Sequence, residues 1–394
     1  MKVPSPPPPV FDIAIIGGGI AGAAIAHESA LRGLSVVLFE KNKFGSGTSS
    51  KSSKLIHGGL RYLEVAWSAF WAGHFTDFWK NLRFVFLALK ETHALAKQWP
   101  EIITEIELLM PIYKNQGRSR FSVFFGTWLY GILSQIGGGK KGTRILRSAK
   151  KALEAEPGLN PLGLLGAVIV QDHTTNDLDL VRKVIRASVE SGAQVFEDAT
   201  VTRYHFSPVG ELFEVDVKIP RKTQTFYARK VINATGAWVD QVRENAGGIK
   251  KSEMIVPLAG SHVEVPFFSN YSTILQAEDK RIFFVINRDK RARIGTTERL
   301  EKNPDQVKTT EEEVGYLLSS VKKFFPAAKL VQSQILSMDA GIRALAKPRR
   351  PVSMSQISRE HEFIFDPDGA IHVLGVKLTD HRRAAKELLD KLKI

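Results

Sequence analysis

The stretch FDIAIIGGGIAGAAIAHESALRGLSVVLFEK, residues 11–41, decides the fold of this chain. Residues 11–16 are apolar and rich in β-branched side chains, which predicts a buried strand. Residues 21–31 have the composition of a helix, and residues 34–39 predict a second strand. A strand, a glycine-rich turn, a helix and a second strand form a β-α-β unit, which indicates an α/β fold that binds a dinucleotide.

The turn carries Gly17, Gly19 and Gly22 in the spacing G-x-G-x-x-G. The first glycine permits a tight turn, the second lets a pyrophosphate approach the backbone, and the third lets the helix pack closely on the strand. Glu40 ends the second strand, where an acid accepts hydrogen bonds from a ribose 2′-hydroxyl and disfavours the 2′-phosphate of NADP. The motif does not by itself separate NAD from FAD.

A second stretch, GTSSKSSKLIHGGLRYLE at residues 47–64, follows this unit at once. It crowds hydroxyl side chains, glycines and cations, which suit a flavin and an anionic substrate that meet in one crevice. A polar, glycine-rich surface loop is the alternative interpretation of these residues alone.

Together the two stretches resemble FAD-dependent glycerol-3-phosphate dehydrogenases, members of the larger group of flavoproteins similar to D-amino-acid oxidase. Further segments resemble that family in the same order, so the resemblance runs from residue 11 to about residue 390. These segments lie at residues 231–240, 260–266, 274–286, 294–298, 341–345 and 375–382.

The resemblance implies FAD as the cofactor and a flavoprotein of the glutathione-reductase type. The fold class it implies is α/β, α+β over the whole chain, with a Rossmann-like FAD-binding domain and a substrate domain built on a mixed or antiparallel sheet. The implied reaction oxidises sn-glycerol 3-phosphate to dihydroxyacetone phosphate, with hydride transfer to flavin N5 and electrons passed to a membrane quinone. The residues expected to bind FAD are Gly17, Gly19, Gly22, Glu40, Thr48, Ser49, Ser53, Gly236 and Thr379.

The same resemblance supplies candidates for binding the substrate. Arg61 and Arg343 are expected to hold the phosphate, because a guanidinium offers a rigid fork to oxyanions. Tyr62 is expected to add a hydrogen bond. Lys377 is expected to contact the substrate or to stabilise charge near flavin N1 and O2.

The base that takes the substrate's hydroxyl proton is left open between several groups. His57 and His262 are candidates, because imidazole titrates near neutral pH. Lys377 and water are the alternatives.

Four residues depart from the family's pattern. The last two segments usually read GxRPL and GGKLTTYR, whereas this chain has Ala344, Val376, Asp380 and His381 at the changed positions. A valine beside the flavin adds bulk and lacks glycine's freedom to adopt positive φ, and His381 is expected to perturb the site.

These departures keep other functions open. One alternative is another oxidoreductase of the superfamily that acts on an amino acid or a hydroxy acid. A second is a degenerate paralogue that binds FAD without turnover, and a third is an oxidase that passes electrons to O2.

We expect the FAD-binding domain to be discontinuous, because the stretches that resemble its parts are separated along the chain. A helical C-terminal domain, which typical bacterial members carry, is not expected within this chain. The predicted divisions are a proline-rich tail at 1–10, FAD-binding segments at 11–85, 160–255 and 335–394, and a substrate or cap domain at 86–159 and 256–334.

Composition excludes several classes of site. The chain has no cysteine, which excludes disulfides, thiolate metal sites and cysteine nucleophiles, and we predict no metal. Residues 1–9 lack an apolar core, so no secretory signal is expected. The formal net charge is +14, but no nucleic-acid recognition motif accompanies it, so no nucleic-acid partner is predicted.

Positive charge is concentrated between Glu107 and Glu154, where no acid occurs. Within this region residues 121–137 are apolar and aromatic, yet too few to span a membrane. Such a segment flanked by cations is typical of a helix in the membrane interface, and a core helix beside a basic loop is the alternative.

The resemblance favours the membrane. It implies a cytoplasmic protein, peripheral on the inner face of the cell membrane, with segment 118–151 facing an anionic membrane surface. A membrane quinone and glycerol 3-phosphate, or a similar small anion, are the implied partners, and a homodimer stays open.

Overall fold

The structure is a computed structural model that describes residues 9–114, 120–139, 142–248, 253–348, 350 and 357–394. Of the predicted proline-rich tail, residues 1–8 lie outside this description. The strands, numbered in chain order, are β1 Val10–Ile16, β2 Val36–Phe39, β3 Leu55–Ile56, β4 Ile103–Tyr113, β5 Arg144–Leu146, β6 Leu164–Thr175, β7 Gln194–Phe196, β8 Thr200–Ser207, β9 Leu212–Ile219, β10 Lys222–Asn233, β11 Ile255–Pro266, β12 Ser272–Gln276, β13 Ile282–Arg288, β14 Arg291–Gly295, β15 Arg299–Leu300, β16 Ser337–Ala346, β17 Glu362–Phe365 and β18 Ile371–Leu374. The helices are α1 Ile20–Leu31, α2 Leu60–Trp71, α3 Phe75–Gln98, α4 Arg120–Ile136, α5 Ala149–Ala155, α6 Asp177–Glu190, α7 Val239–Asn245, α8 Glu311–Phe324 and α9 His381–Leu392.

The first sheet contains the nucleotide-binding unit. Its order is β17-β18-β10-β1-β2-β7, with β9 beside β10 and β8 beside β9. Ile13 and Ile15 of β1 pack with α1, α6 and α9, whereas Ala14 and Ile16 pack with β8 and β9. Successive side chains of a strand point to opposite faces, so burial on both faces explains why β1 is a continuous apolar run.

The second sheet forms the other half of the molecule. Its order is β15-β11-β14-β13-β12-β4-β6-β3, with β16 beside β11 and β5 beside β6. β11 pairs with β14, β14 with β13 and β13 with β12, all antiparallel, in agreement with the mixed or antiparallel sheet that the resemblance implied. Leu317 and Val321 of α8 pack on Phe283 and Val285 of β13. Thr310 caps α8, and Glu313 completes the capping box.

Helices α2, α3 and α4 form a further layer, in which Leu63, Leu89 and Tyr130 pack together. α2 and α3 are separate helices because the chain turns at Gly73, whose φ is +75°. Within the described residues, no helix is both long enough and apolar enough to cross a membrane.

Three strands from the segments predicted for the FAD-binding domain lie in the second sheet. β3, β6 and β16 fall in segments predicted for the FAD-binding domain, yet all three pair in the second sheet. The division into domains therefore stays a prediction. The two sheets interleave along the chain, and this interleaving brings distant segments to one cavity.

Candidate active site

A cavity of about 1430 Å³ runs from the glycine turn before α1 to the segment before α9. Both sheets and helix α3 contribute to its walls. Pockets for small molecules are usually about 300–1,000 Å³, so this cavity has room for a dinucleotide and a substrate.

The glycine turn has the geometry that the motif predicts. Gly17 has φ +104°, and a Cβ there would lie 2.8 Å from the carbonyl oxygen of Ala234. A Cβ on Gly22 would collide with the carbonyl oxygen of Gly17, so the helix packs directly on the turn. Gly17 and Gly19 line the cavity, while Gly22 lies behind them in this packing position.

Glu40 directly follows β2 and lines the cavity. Its carboxylate accepts hydrogen bonds from the N–H of Gly18 at 2.7 Å and of Asn42 at 2.8 Å. Ser49 Oγ accepts from the N–H of Ile20 at 3.0 Å. These bonds fix the turn, and each carboxylate oxygen keeps a lone pair for a further donor.

The other predicted cofactor residues also line the cavity. Thr48 Oγ1 donates to the carbonyl oxygen of Ile342 at 2.7 Å, and Thr379 Oγ1 accepts from the N–H of His57 at 3.3 Å. Gly236 has φ +58°, with open space where a Cβ would be. Ser53 Oγ lies 3.2 Å from Nε2 of His262.

Cations gather at the far end of the cavity. Arg343 donates to Glu298 Oε1 at 3.1 Å and to Thr296 Oγ1 at 2.8 Å. Arg359 donates to the same Glu298 oxygen at 2.7 Å. Lys377 also lines this end, where burial lowers its pKa to about 8.

Arg359 was missed by the sequence analysis. It lies three residues before β17, and β17 pairs with β18, the strand that leads into the predicted segment 375–382. The pairing brings Arg359 beside Lys377. The available signal was the turn sequence DPDG at residues 366–369 between two apolar runs, which is typical of a hairpin.

His57 is half-buried and lines this end of the cavity. Burial, and then the charges of Lys377 and Arg359, lower its pKa to about 4. Nδ1 accepts a hydrogen bond from the N–H of Gly59 at 2.9 Å. The neutral ring therefore carries its proton on Nε2.

His262 occupies a second buried position in the cavity wall. Burial lowers its pKa to about 4, against the opposing effect of Asp339. Nδ1 lies 3.7 Å from Asp339 Oδ1, beyond hydrogen-bond distance, while Arg293 donates twice to that carboxylate at 2.8 Å. Both histidines are therefore neutral near pH 7. His57 could take a proton only at Nδ1, in place of the hydrogen bond from Gly59, whereas Nδ1 of His262 accepts no hydrogen bond among the described residues.

Four other positions singled out in the sequence lie in α2, in the segment that leads into α9 or at the first residue of α9. Arg61 and Tyr62 belong to α2, but their side chains lie outside the described residues. Gly375, not Val376, has the positive φ of the turn before α9, at +69°. His381 faces away from the cavity: its Nδ1 lies 2.7 Å from the carbonyl oxygen of Leu378, and its ring stacks on Trp99.

Comparison with known protein families identifies the group to which this chain belongs. Residues 12–378 match the family described as FAD dependent oxidoreductase. The chain belongs to this family. FAD is accordingly its cofactor, and the predicted fold class is confirmed.

Individual relatives are similar over nearly the whole chain. An aerobic glycerol-3-phosphate dehydrogenase of Bacillus subtilis is 31% identical over 387 residues, which cover 96% of this chain and 66% of the relative. The X-ray structure of the glycerol-3-phosphate dehydrogenase from Bacillus halodurans, complexed with FAD, has a TM-score of 0.75 and 27% identity, covering 97% of this chain and 64% of that one. L-α-glycerophosphate oxidase from Mycoplasma pneumoniae has a TM-score of 0.73 at 19% identity, covering 98% and 95%, and shares the fold. This chain thus spans about two thirds of the length of the first two proteins.

The cavity fits FAD by its own geometry. Ile20 and Ala21, the first residues of α1, line it beside the glycine turn, and a helix N-terminus favours a pyrophosphate. Glu40 is at the end of β2, where a ribose is expected.

Proposed function

We propose that this chain is an FAD-dependent dehydrogenase of sn-glycerol 3-phosphate, which it oxidises to dihydroxyacetone phosphate. The observation that carries the proposal is the convergence of Arg343, Arg359 and Lys377 at one end of a cavity whose other end suits FAD. Three cations suit a phosphate dianion better than a single carboxylate, because guanidinium groups bind phosphate through paired N–H donors.

The two arginines are arranged before any substrate arrives. Glu298 accepts from both and holds two like charges side by side. A guanidinium has five N–H donors in a rigid fork, so one arginine can bind a carboxylate and a phosphate oxygen together. The arrangement reduces the entropy lost when the substrate is ordered.

The oxidation removes a hydride from C2 and a proton from the C2 hydroxyl. FAD, when bound, accepts the hydride. His57 and His262 are the candidate proton acceptors, because pKa values of about 4 leave both rings neutral at pH 7. For His57 the proton would enter at Nδ1 and replace the hydrogen bond from the N–H of Gly59. Lys377 contacts the substrate or stabilises negative charge near flavin N1 and O2.

For the cofactor we propose the predicted set of residues in distinct roles. The turn at Gly17 and Gly19 binds the pyrophosphate, with Gly22 packing behind it, and Glu40 binds a ribose. The others, Thr48, Ser49, Ser53, Gly236 and Thr379, lie along the cavity wall where the rest of the cofactor would be held.

We also propose peripheral binding to the inner face of the cell membrane, with a membrane quinone as electron acceptor. Two observations support it. Four aromatic side chains around the turn between α2 and α3 are exposed: Phe70 by 38%, Trp71 by 72%, Phe75 by 56% and Trp79 by 65%. The cavity is lined by residues 77, 80, 81 and 84 of α3, the part of that helix which also carries Phe75 and Trp79.

The membrane segment predicted at 118–151 is only partly described, since residues 115–119, 140 and 141 lie outside the description. In α4, Val123, Thr127 and Tyr130 are buried, whereas Trp128 and Ile136 are exposed. A helix with one buried and one exposed apolar side is compatible with both original interpretations of residues 121–137.

The decisive experiment is anaerobic bleaching of the flavin absorbance of the purified, FAD-loaded protein. We expect glycerol 3-phosphate to bleach it, and glycerol, lactate and D-alanine to leave it oxidised. Bleaching by lactate or D-alanine instead would identify an enzyme of the same superfamily acting on a hydroxy or amino acid. A yellow protein that none of them bleaches would identify a binding protein without this turnover.

A further inference from the structure

The two segments at the open end of the β17–β18 hairpin meet behind the cationic end of the cavity. One leads into β17 and carries Arg359, and the other leads from β18 into α9 and carries Lys377. A Cβ on Gly375 would lie 2.7 Å from the carbonyl oxygen of Glu360, so the two backbones are in close contact. Their relative position therefore fixes the spacing of the two cations.

A buried pair of side chains joins these segments. His361 Nδ1 lies 3.3 Å from Asp380 Oδ2, and the two side chains are only 4% and 3% exposed. His361 is two residues after Arg359, and Asp380 is three residues after Lys377. The contact between His361 and Asp380 therefore joins the two segments within three residues of each cation.

Asp380 is bonded on the side of Lys377 as well. Its Oδ1 accepts from the backbone N–H of Lys377 at 3.0 Å, and Arg383 donates to Oδ2 at 3.1 Å. His361 is fixed from behind, because its Nε2 lies 2.8 Å from Glu387 Oε2. A carboxylate that binds both a backbone amide and a buried ring restricts both segments at once.

We propose that Asp380 and His361 are positioning residues that hold Arg359 and Lys377 at the spacing required to bind a phosphate group. This inference rests on the proposed function for the identity of the substrate, while phosphate recognition itself can be tested without turnover. It gives a role to Asp380, one of the departures noted in the sequence, and it predicts that phosphate affinity depends on two residues placed behind the binding cations.

The test measures two quantities on the FAD-loaded protein. The first is the Kd of inorganic phosphate by calorimetry, and the second is kcat and KM for glycerol 3-phosphate. We expect Asp380→Ala to raise both the Kd and KM roughly tenfold, because misplaced cations lose binding to ground state and transition state alike, while kcat changes less than about twofold. Asp380→Asn should be milder, since its amide oxygen can still accept from the N–H of Lys377.

His361→Ala is the second variant, and it keeps the test available if Asp380→Ala does not fold. The double variant should be no weaker than the worse single variant, because residues that act as a unit are not additive. Asp390→Ala is the matched control: it removes a carboxylate from the same helix, where Asp390 pairs with Arg32 at 2.7 Å. The control should leave Kd and KM unchanged.

The outcomes separate this inference from the proposed function. Wild-type bleaching by glycerol 3-phosphate, with unchanged Kd and KM in Asp380→Ala and His361→Ala, would overturn the positioning role alone. No bleaching, but phosphate binding that weakens in both variants, would support the positioning role and reject the substrate. A wild-type protein that neither binds phosphate nor is bleached would reject both.

Discussion

At the scale of single residues, Glu298 and Lys377 set the charge of the substrate end. Glu298 neutralises part of the charge of Arg343 and Arg359 and keeps the pair in place. Lys377 lies over the ring of Phe84, with Nζ 4.5 Å from the ring centroid. Of these cations, only the lysine has a pKa close enough to neutral pH to lose its charge in ordinary buffers.

The lysine predicts how substrate affinity depends on pH. Because burial lowers the pKa of Lys377 to about 8, its charge is present below that pH and is lost above it. We expect KM for glycerol 3-phosphate to rise as pH increases through about 8. In Lys377→Arg this alkaline rise should disappear, since a guanidinium keeps its charge throughout the pH range of the experiment.

Steady-state kinetics between pH 6 and 10 checks this prediction. The substrate phosphate, with a second pKa of about 6, is already a dianion in the relevant range and adds no alkaline change. Lys183→Arg is the matched control, because Lys183 pairs with Glu101 on the surface of α6. An alkaline rise that persists in Lys377→Arg would assign it to a different group.

At the scale of elements, α4 supports the loop that carries His57. The buried hydroxyl of Tyr130 donates to Asp172 Oδ2 at 2.6 Å and accepts from the N–H of Gly58 at 3.0 Å. Burial raises the pKa of Asp172 to about 7. Gly58 has no room for a side chain, because a Cβ would lie 2.5 Å from Leu89 and 2.9 Å from the Tyr130 hydroxyl.

Tyr130→Phe should loosen this loop without emptying the FAD site. It removes the acceptor of the Gly58 N–H and the donor to Asp172, and each unsatisfied buried group costs about 1–3 kcal/mol. We expect a lower unfolding temperature and faster hydrogen exchange in the peptide that contains residues 57–59.

Thr127→Val serves as the comparison for that variant. Thr127 is buried one turn earlier in α4, and its hydroxyl donates to the carbonyl oxygen of Val123 within the same helix. It should leave exchange at residues 57–59 unchanged. If Tyr130→Phe exchanged at the wild-type rate there, α4 would not be what supports the loop.

At the scale of the whole molecule, a cluster of aromatic side chains is exposed on the surface instead of being packed in the core. It comprises Trp67, Phe70, Trp71, Phe75, Phe78 and Trp79. Its rings contact one another, with centroids 5.7 Å apart between Trp67 and Phe70 and 5.1 Å apart between Phe78 and Trp79. Lys80 and Arg83 are exposed on α3 nearby. Aromatic side chains flanked by cations suit an anionic lipid interface.

Co-sedimentation with vesicles containing anionic lipid tests this surface. We expect the double variant Trp71→Ser, Trp79→Ser to bind at least tenfold more weakly, because exposed tryptophan rings supply apolar area to the interface. The wild-type protein should bind less at high salt, since its cations contribute through a screened attraction.

Two exposed apolar residues elsewhere provide the control. Leu162 is 83% exposed and Phe267 is 50% exposed, and neither belongs to the aromatic cluster. Leu162→Ser with Phe267→Ser should bind vesicles like the wild type. Equal losses in both double variants would mean that no particular surface docks on the lipid.

The sequence by itself determined the nucleotide-binding half of the protein. Local physics is sufficient there, because the strand, the turn at Gly17, the helix and Glu40 are consecutive and each follows from short-range sterics and burial. The capping of α8 by Thr310 was predictable for the same reason. The turn between α2 and α3 also has a local cause, since it falls at Gly73, a residue that adopts positive φ without strain.

Only the tertiary structure decided which residues meet at the substrate end. Arg359 reaches Lys377 because β17 pairs with β18. Arg343 and Arg359 meet because both donate to Glu298, which lies between β14 and β15. Asp380 and His381 are neighbours in sequence, yet Asp380 bonds to His361 and the backbone of Lys377, whereas His381 stacks on Trp99. Contacts between segments far apart in sequence depend on strand pairing and packing over the whole core, and no local pattern encodes them.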